Sequence, residues 1–144
     1  MSAQIFDHAQ LQGLRGLHYD EVGFDCGHLA VLAQQRLFGR EVAVPSVHPR
    51  GRRGQAALVE RLAGELADPV ANPISGDVGL YEAVDGASGL AYMHIGTVLD
   101  MARERWLLHI RVGGRSLIER ERDARVKGLH HLGYYRLREI HIVG

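Results

Sequence analysis

Apolar positions along this chain recur first at helical spacing and then at strand spacing, and the change falls near residue 70. Leu29, Leu32, Ala33 and Leu37 are three or four residues apart, the pattern that lines one face of a helix. Asp25 stands before them as an N-cap and Gly39 after them as a stop, so a helix is predicted over about residues 25–38. Cys26 then lies in its first turn. A shorter helix is predicted from Asp7, its cap, to about Leu14, closed by Gly16. A third is predicted over residues 55–67, with Leu58, Val59, Leu62 and Leu66 on one face and Pro69 and Pro73 ending it. Residues 44–54, rich in Pro, Gly and Arg, read as an irregular solvated connection.

Downstream, short runs rich in Val, Leu, Ile and Tyr are bounded by turn residues, which is strand chemistry. Strands are predicted over residues 77–84, 92–99, 106–112 and 132–138. Asp85-Gly86-Ala87-Ser88-Gly89 is a turn, and a short charged loop near residues 100–105 joins the second strand to the third. Gly113-Gly114-Arg115 turns into Ser116-Leu117-Ile118-Glu119, and a charged segment precedes the last strand. Helices first and an antiparallel meander afterwards make the α+β pattern. With no repeat, linker or low-complexity tract, residues 1–144 are expected to form a single domain.

Composition narrows the function classes. Seventeen basic and seventeen acidic residues cancel, so no overall field draws the chain to nucleic acid or to an anionic membrane. One cysteine allows no internal disulfide, and no CxxC pair marks a structural zinc site. No stretch approaches the roughly 18 apolar residues of a membrane span, and Met1–Asp7 lacks the basic and apolar regions of a leader. Synthesis in the cytosol and delivery by other machinery are the expectation. Nine histidines is a high count. The adjacent His130 and His131 read as strand or surface residues rather than metal ligands, and no cofactor is expected.

The candidate chemistry centres on Cys26. A thiol in the first turn of a helix feels the positive end of the helix dipole, which favours the reactive thiolate. Against this stands the plain reading of a small buried hydrophobe. His94 and His109 fall on neighbouring predicted strands and can share a face. Thiol, imidazole base and a polar group that orients the imidazole are the parts of a thiol acyl-transfer site. A metal site from Cys26, His28, His94 and His109 is a weaker alternative, because no short ligand spacing anchors it.

Four segments in order resemble one family. Phe24-Asp25-Cys26-Gly27-His28-Leu29 is similar to the Asp-Cys-Ser-Gly-Leu motif of the NlpC-type cell-wall cysteine peptidases, which are compact papain-like enzymes. Gly76-Asp77-Val78-Gly79-Leu80-Tyr81 resembles the Gly-Asp-Leu-Val segment that opens their first core strand. His94-Ile95-Gly96-Thr97-Val98-Leu99 resembles their His-Val-Gly-Ile-Tyr strand, and Trp106-Leu107-Leu108-His109 resembles the strand after it. Residues 116–120 and 133–136 are similar to short forms found in bacteriophage tail gene clusters. The resemblance covers about residues 17–138. It implies Cys26 as nucleophile, His94 as general base and His109 as orienting residue. It also implies Tyr19 as a donor to the oxyanion. His28, beside the nucleophile, is a candidate for the substrate groove.

What the resemblance implies for function is hydrolysis of an amide bond in peptidoglycan stem peptides by a phage tail-tip component. Its partners would be the peptide substrate and other tail proteins, and it would act at the cell wall from the virion tail. Three departures qualify this. The family's Ser-Gly after the cysteine is Gly27-His28 here, and its Gly-Gly after the tyrosine is Asp20-Glu21-Val22-Gly23. The insert over residues 50–67 is not generic and is a candidate docking element. Two other readings stand beside the peptidase: a structural tail-tip protein of the same fold without essential catalysis, and a thiol amidase acting on another substrate.

Overall fold

Asp7 accepts a hydrogen bond from the Ala9 N–H at 2.8 Å and so starts a short helix, α1 (His8–Gln12). The long helix follows the same logic. In a computed structural model that describes residues 6–20, 24–44, 59–84 and 89–140, α2 spans Cys26–Phe38 with Asp25 as N-cap. The Asp25 carboxylate accepts from the His28 N–H at 2.9 Å, and the His28 ring accepts from the Asp25 N–H at 3.1 Å, a reciprocal capping box. Gly39 closes α2 at φ +63°, a left-handed position that glycine occupies without Cβ strain. Both termini were legible as sequence signals.

Among the described residues six strands form one antiparallel sheet: β1 (Ala67–Val70), β2 (Val78–Val84), β3 (Ala91–Met101), β4 (Glu104–His109), β5 (Leu117–Arg120) and β6 (His130–Leu137). Their spatial order is β1-β6-β2-β3-β4-β5. The meander predicted from the sequence holds from β2 to β5. β6 then returns to the other side of β2, and β1 adds outside it. The protein is therefore α+β, with helices on an antiparallel sheet.

Three local expectations need correction. The third predicted helix does not reach residue 67. Its first residues, 55–58, and the loop over 45–54 lie outside the described residues. Residues 59–61 are helical, Leu62–Leu66 form a π turn, and Ala67 already belongs to β1. Pro69 is tolerated there because β1 is an edge strand, paired only with β6, and a residue without an N–H can face outward. The loop near residues 100–105 is instead a two-residue hairpin turn, Ala102-Arg103, with both φ values positive at 50° and 63°. It lacks the Asn-Gly chemistry that advertises such turns. The charged segment after β5 folds as a helix, α3 (Glu121–Val126).

The two faces of the sheet carry two clusters. Val78, Leu80, Met93, Ile95, Leu99, Leu108 and Ile110 pack against Leu29, Ala30, Ala33 and Leu37 of α2. Each of the Val, Leu, Ile and Met side chains contributes about 1.5–3 kcal/mol when fully buried. The other face holds Tyr81, Ala83 and Leu107 against Ala124 of α3 and Leu129. Gly96 belongs to this second face, and the fully buried Leu107 side chain lies directly over it.

Candidate active site

The register decides which face each histidine takes. Thr97 pairs with Leu108, so His94 and His109, each an odd number of residues away, share the face opposite to theirs. Tyr81, paired with His94, and Glu119, paired with Leu107, point the same way. This brings three polar side chains together. His94 Nε2 lies 2.8 Å from His109 Nδ1, and His109 Nε2 lies 3.0 Å from a Glu119 carboxylate oxygen. The second Glu119 oxygen accepts from the Lys127 ammonium at 3.1 Å. Both histidines are buried, whereas Lys127 is exposed, so the chain of contacts runs from the interior to solvent.

Cys26 approaches from the α2 side, and the end of a ladder makes room for it. The β3–β4 pairing stops at Thr97–Leu108, so residues 91–96 of β3 continue with β2 alone. The Val98 N–H bonds to the Asp77 carbonyl on the β2 side. In a pleated strand the N–H groups alternate, so that of Ile95 points toward the β4 side, where the ladder has ended. There it comes near enough to the Cys26 sulfur to favour the thiolate. The thiol therefore meets the sheet at the peptide that joins His94 to Ile95.

The loop before Cys26 is stapled to the strand that carries Glu119. Ser116 hydrogen-bonds through its hydroxyl to the Leu14 carbonyl at 2.6 Å and accepts from the Leu17 N–H at 2.8 Å. The Tyr19 N–H bonds to the Gly114 carbonyl at 3.0 Å. Mutual backbone bonds between Asp20 and Phe24 then turn the chain into α2. Tyr19 is half-buried against the main core beside this turn.

The electrostatics differ from the sequence expectation at Cys26. Cys26 is 5% exposed. Burial pushes its thiol up from 9.0 to about 12; the Asp25 carboxylate adds to the rise, and the N–H groups of Ile95, Gly27 and Cys26 oppose it. The helix N-terminus acts in the expected direction, but desolvation of the charged form outweighs it. Burial also holds His94 well below the usual histidine range, aided by His109 and Arg111. The resting pair is a neutral thiol and a neutral imidazole. Among the described residues, His94 Nδ1 is buried and has no hydrogen-bond partner, so the expected Cys26–His94 hydrogen bond is not made.

His28 does not line this cluster. Its ring is the returning half of the α2 capping box, and 51% of its side chain is exposed. His130 and His131 lie on β6. Glu119 was missed by sequence reasoning. It sits in a charged run, and only its even spacing from Leu117 on an edge strand hinted at an inward carboxylate. Its partner His109 holds its carboxyl far below the usual range, at about 2, and Lys127 assists. Among the described residues no cluster of three His, Cys, Asp or Glu side chains is arranged to hold a metal ion. No helix there is long and apolar enough to cross a membrane. Compared with models of known protein families and with curated proteins, the sequence matches none.

Proposed function

We propose that the protein is a thiol hydrolase of the papain-like, NlpC-type class that cuts amide bonds in peptidoglycan stem peptides. Cys26 would act as nucleophile, His94 as general base and His109 as orienting residue. The observation that carries this reading is His94 Nδ1, buried and without a hydrogen-bond partner among the described residues, on the residue whose following peptide N–H is near enough to the Cys26 sulfur to favour its thiolate. A buried acceptor without a partner costs roughly 1–3 kcal/mol, and an open proton acceptor on the residue before that peptide is the kind of base acyl transfer requires.

In the proposed cycle the Cys26 thiol gives its proton to His94 Nδ1 and the sulfur attacks the amide carbonyl carbon. Negative charge grows on the carbonyl oxygen, where the Cys26 N–H at the start of α2 and the Tyr19 hydroxyl are the candidate donors. The carbon–nitrogen bond breaks as His94 returns the proton to the leaving amine. Water, deprotonated by the same nitrogen, then attacks the thioester. A carboxylate leaves and the thiol is restored. The resemblance to short phage tail forms makes a tail-tip protein acting at the cell wall the proposed setting.

The test is digestion of purified sacculi. Release of stem-peptide fragments by the wild type, abolished in Cys26→Ala and His94→Ala, is the expected result. Intact sacculi together with release of ammonia or acyl groups from another substrate would turn the reading to a different amidase.

A further inference from the structure

We infer that Glu119 is a positioning residue that, through His109, fixes His94 in the tautomer whose Nδ1 is free to accept a proton. The inference deepens the reading above and rests on it for the identity of the base. It is built from hydrogen-bond valence. An ionised carboxylate can only accept, so His109 Nε2, 3.0 Å from the Glu119 oxygen, must carry the hydrogen. A neutral His109 then has only a lone pair at Nδ1. His94 Nε2, 2.8 Å away, must donate to it. With its one hydrogen on Nε2, His94 has a bare lone pair at Nδ1, the atom left without a partner.

The direction of this chain depends on His109 being neutral. A protonated His109 would donate from both nitrogens, and His94 would have to carry its hydrogen on Nδ1, facing the wrong way. The Glu119 charge is also met on its other oxygen by Lys127 at 3.1 Å. Arg111 stands close enough to His94 to add positive potential on the same side. With Lys127 offsetting part of the carboxylate charge, Glu119 acts as a tautomer lock through its bond to His109 Nε2.

The experiment is long-range ¹H–¹⁵N correlation of histidine-labelled protein at pH 7.5, assigned with His94→Gln and His109→Gln. Expected in the wild type are protonated Nε2 and pyridine-type Nδ1 on both rings. In Glu119→Gln the side-chain amide can donate as well as accept, so the lock is released. His94 should then show mixed tautomers, and Cys26 alkylation at pH 7 should slow on the order of tenfold or more. Glu119→Ala provides the same reading if the glutamine variant folds poorly. A protonated Nδ1 on either wild-type ring, or unchanged tautomers in both variants, overturns the inference. The expected tautomers with an inert thiol and intact sacculi would leave the relay standing and sink the peptidase reading, so the two fail separately.

Discussion

Replacing His94 by alanine or glutamine should convert Cys26 from a reactive thiol into an inert one, and the size of the change follows from its burial. A thiol that ionises at 9.0 is about 1% thiolate at pH 7, whereas one held at about 12 is about 0.001% thiolate. As a lone group Cys26 should therefore react about a thousandfold more slowly than an open cysteine. In the proposed mechanism, transfer of its proton to His94 Nδ1 would offset that handicap, the thiolate forming together with an imidazolium and near the N–H groups of Ile95 and Gly27. The assay is iodoacetamide labelling followed by intact mass, from pH 5 to 10, with urea-unfolded protein giving the open-cysteine rate. The wild type should label at pH 7 at least as fast as the unfolded chain and show a plateau through neutrality. His94→Ala should fall by about 10³ and rise tenfold per pH unit. Burial also slows entry of the reagent, so the pH slope is the deciding observable. A wild-type profile that already rises tenfold per unit from pH 7 to 10, unchanged by His94→Ala, would mean a structural cysteine and refute the reasoning.

Three further outcomes follow from the packing and the titrating groups. Gly96→Ala places a Cβ 2.5–2.9 Å from three atoms of the fully buried Leu107, so overpacking should cost about 1–3 kcal/mol, read by urea denaturation. An unchanged midpoint would show that Leu107 can move aside. Asp77→Asn breaks a two-pronged contact with Arg136 at 2.9 and 3.0 Å. Its cost should be about 2 kcal/mol, below the ~3–5 of a wholly buried pair because Arg136 is partly exposed. Melting temperature against pH should peak between about 6.5 and 9. Below 6.5 the unfolded chain protonates His94 while the fold resists, and Glu119, lowered from 4.5 to about 2, loses its contribution below 4.5. Above 9 the unfolded thiol ionises while Cys26 stays protonated up to about 12, so stability falls again. In Cys26→Ala the alkaline fall should flatten; an identical fall would remove Cys26 as its cause.

Much of this protein is determined by local sequence. α2 is announced by its apolar spacing, by Asp25 before it and by Gly39 after it, because capping and backbone handedness involve only near neighbours. β2, β3 and β4 are legible for the same reason, and with them the order in which Cys26, His94 and His109 arrive. Tertiary structure decided the rest. Strand periodicity does not say which strand pairs with which, so the return of β6 beside β2 and the edge strand through Pro69 were invisible. The early end of the β3–β4 ladder is equally a matter of register, and it is what brings the thiol to the peptide after His94. Glu119 meets His109 only because β5 pairs with β4 in one register and not its neighbour. The helix dipole that pointed to a reactive Cys26 is a local effect. Desolvation is set by everything folded around the thiol, and it reverses the sign, so the proposed activation requires a proton acceptor from elsewhere in the chain.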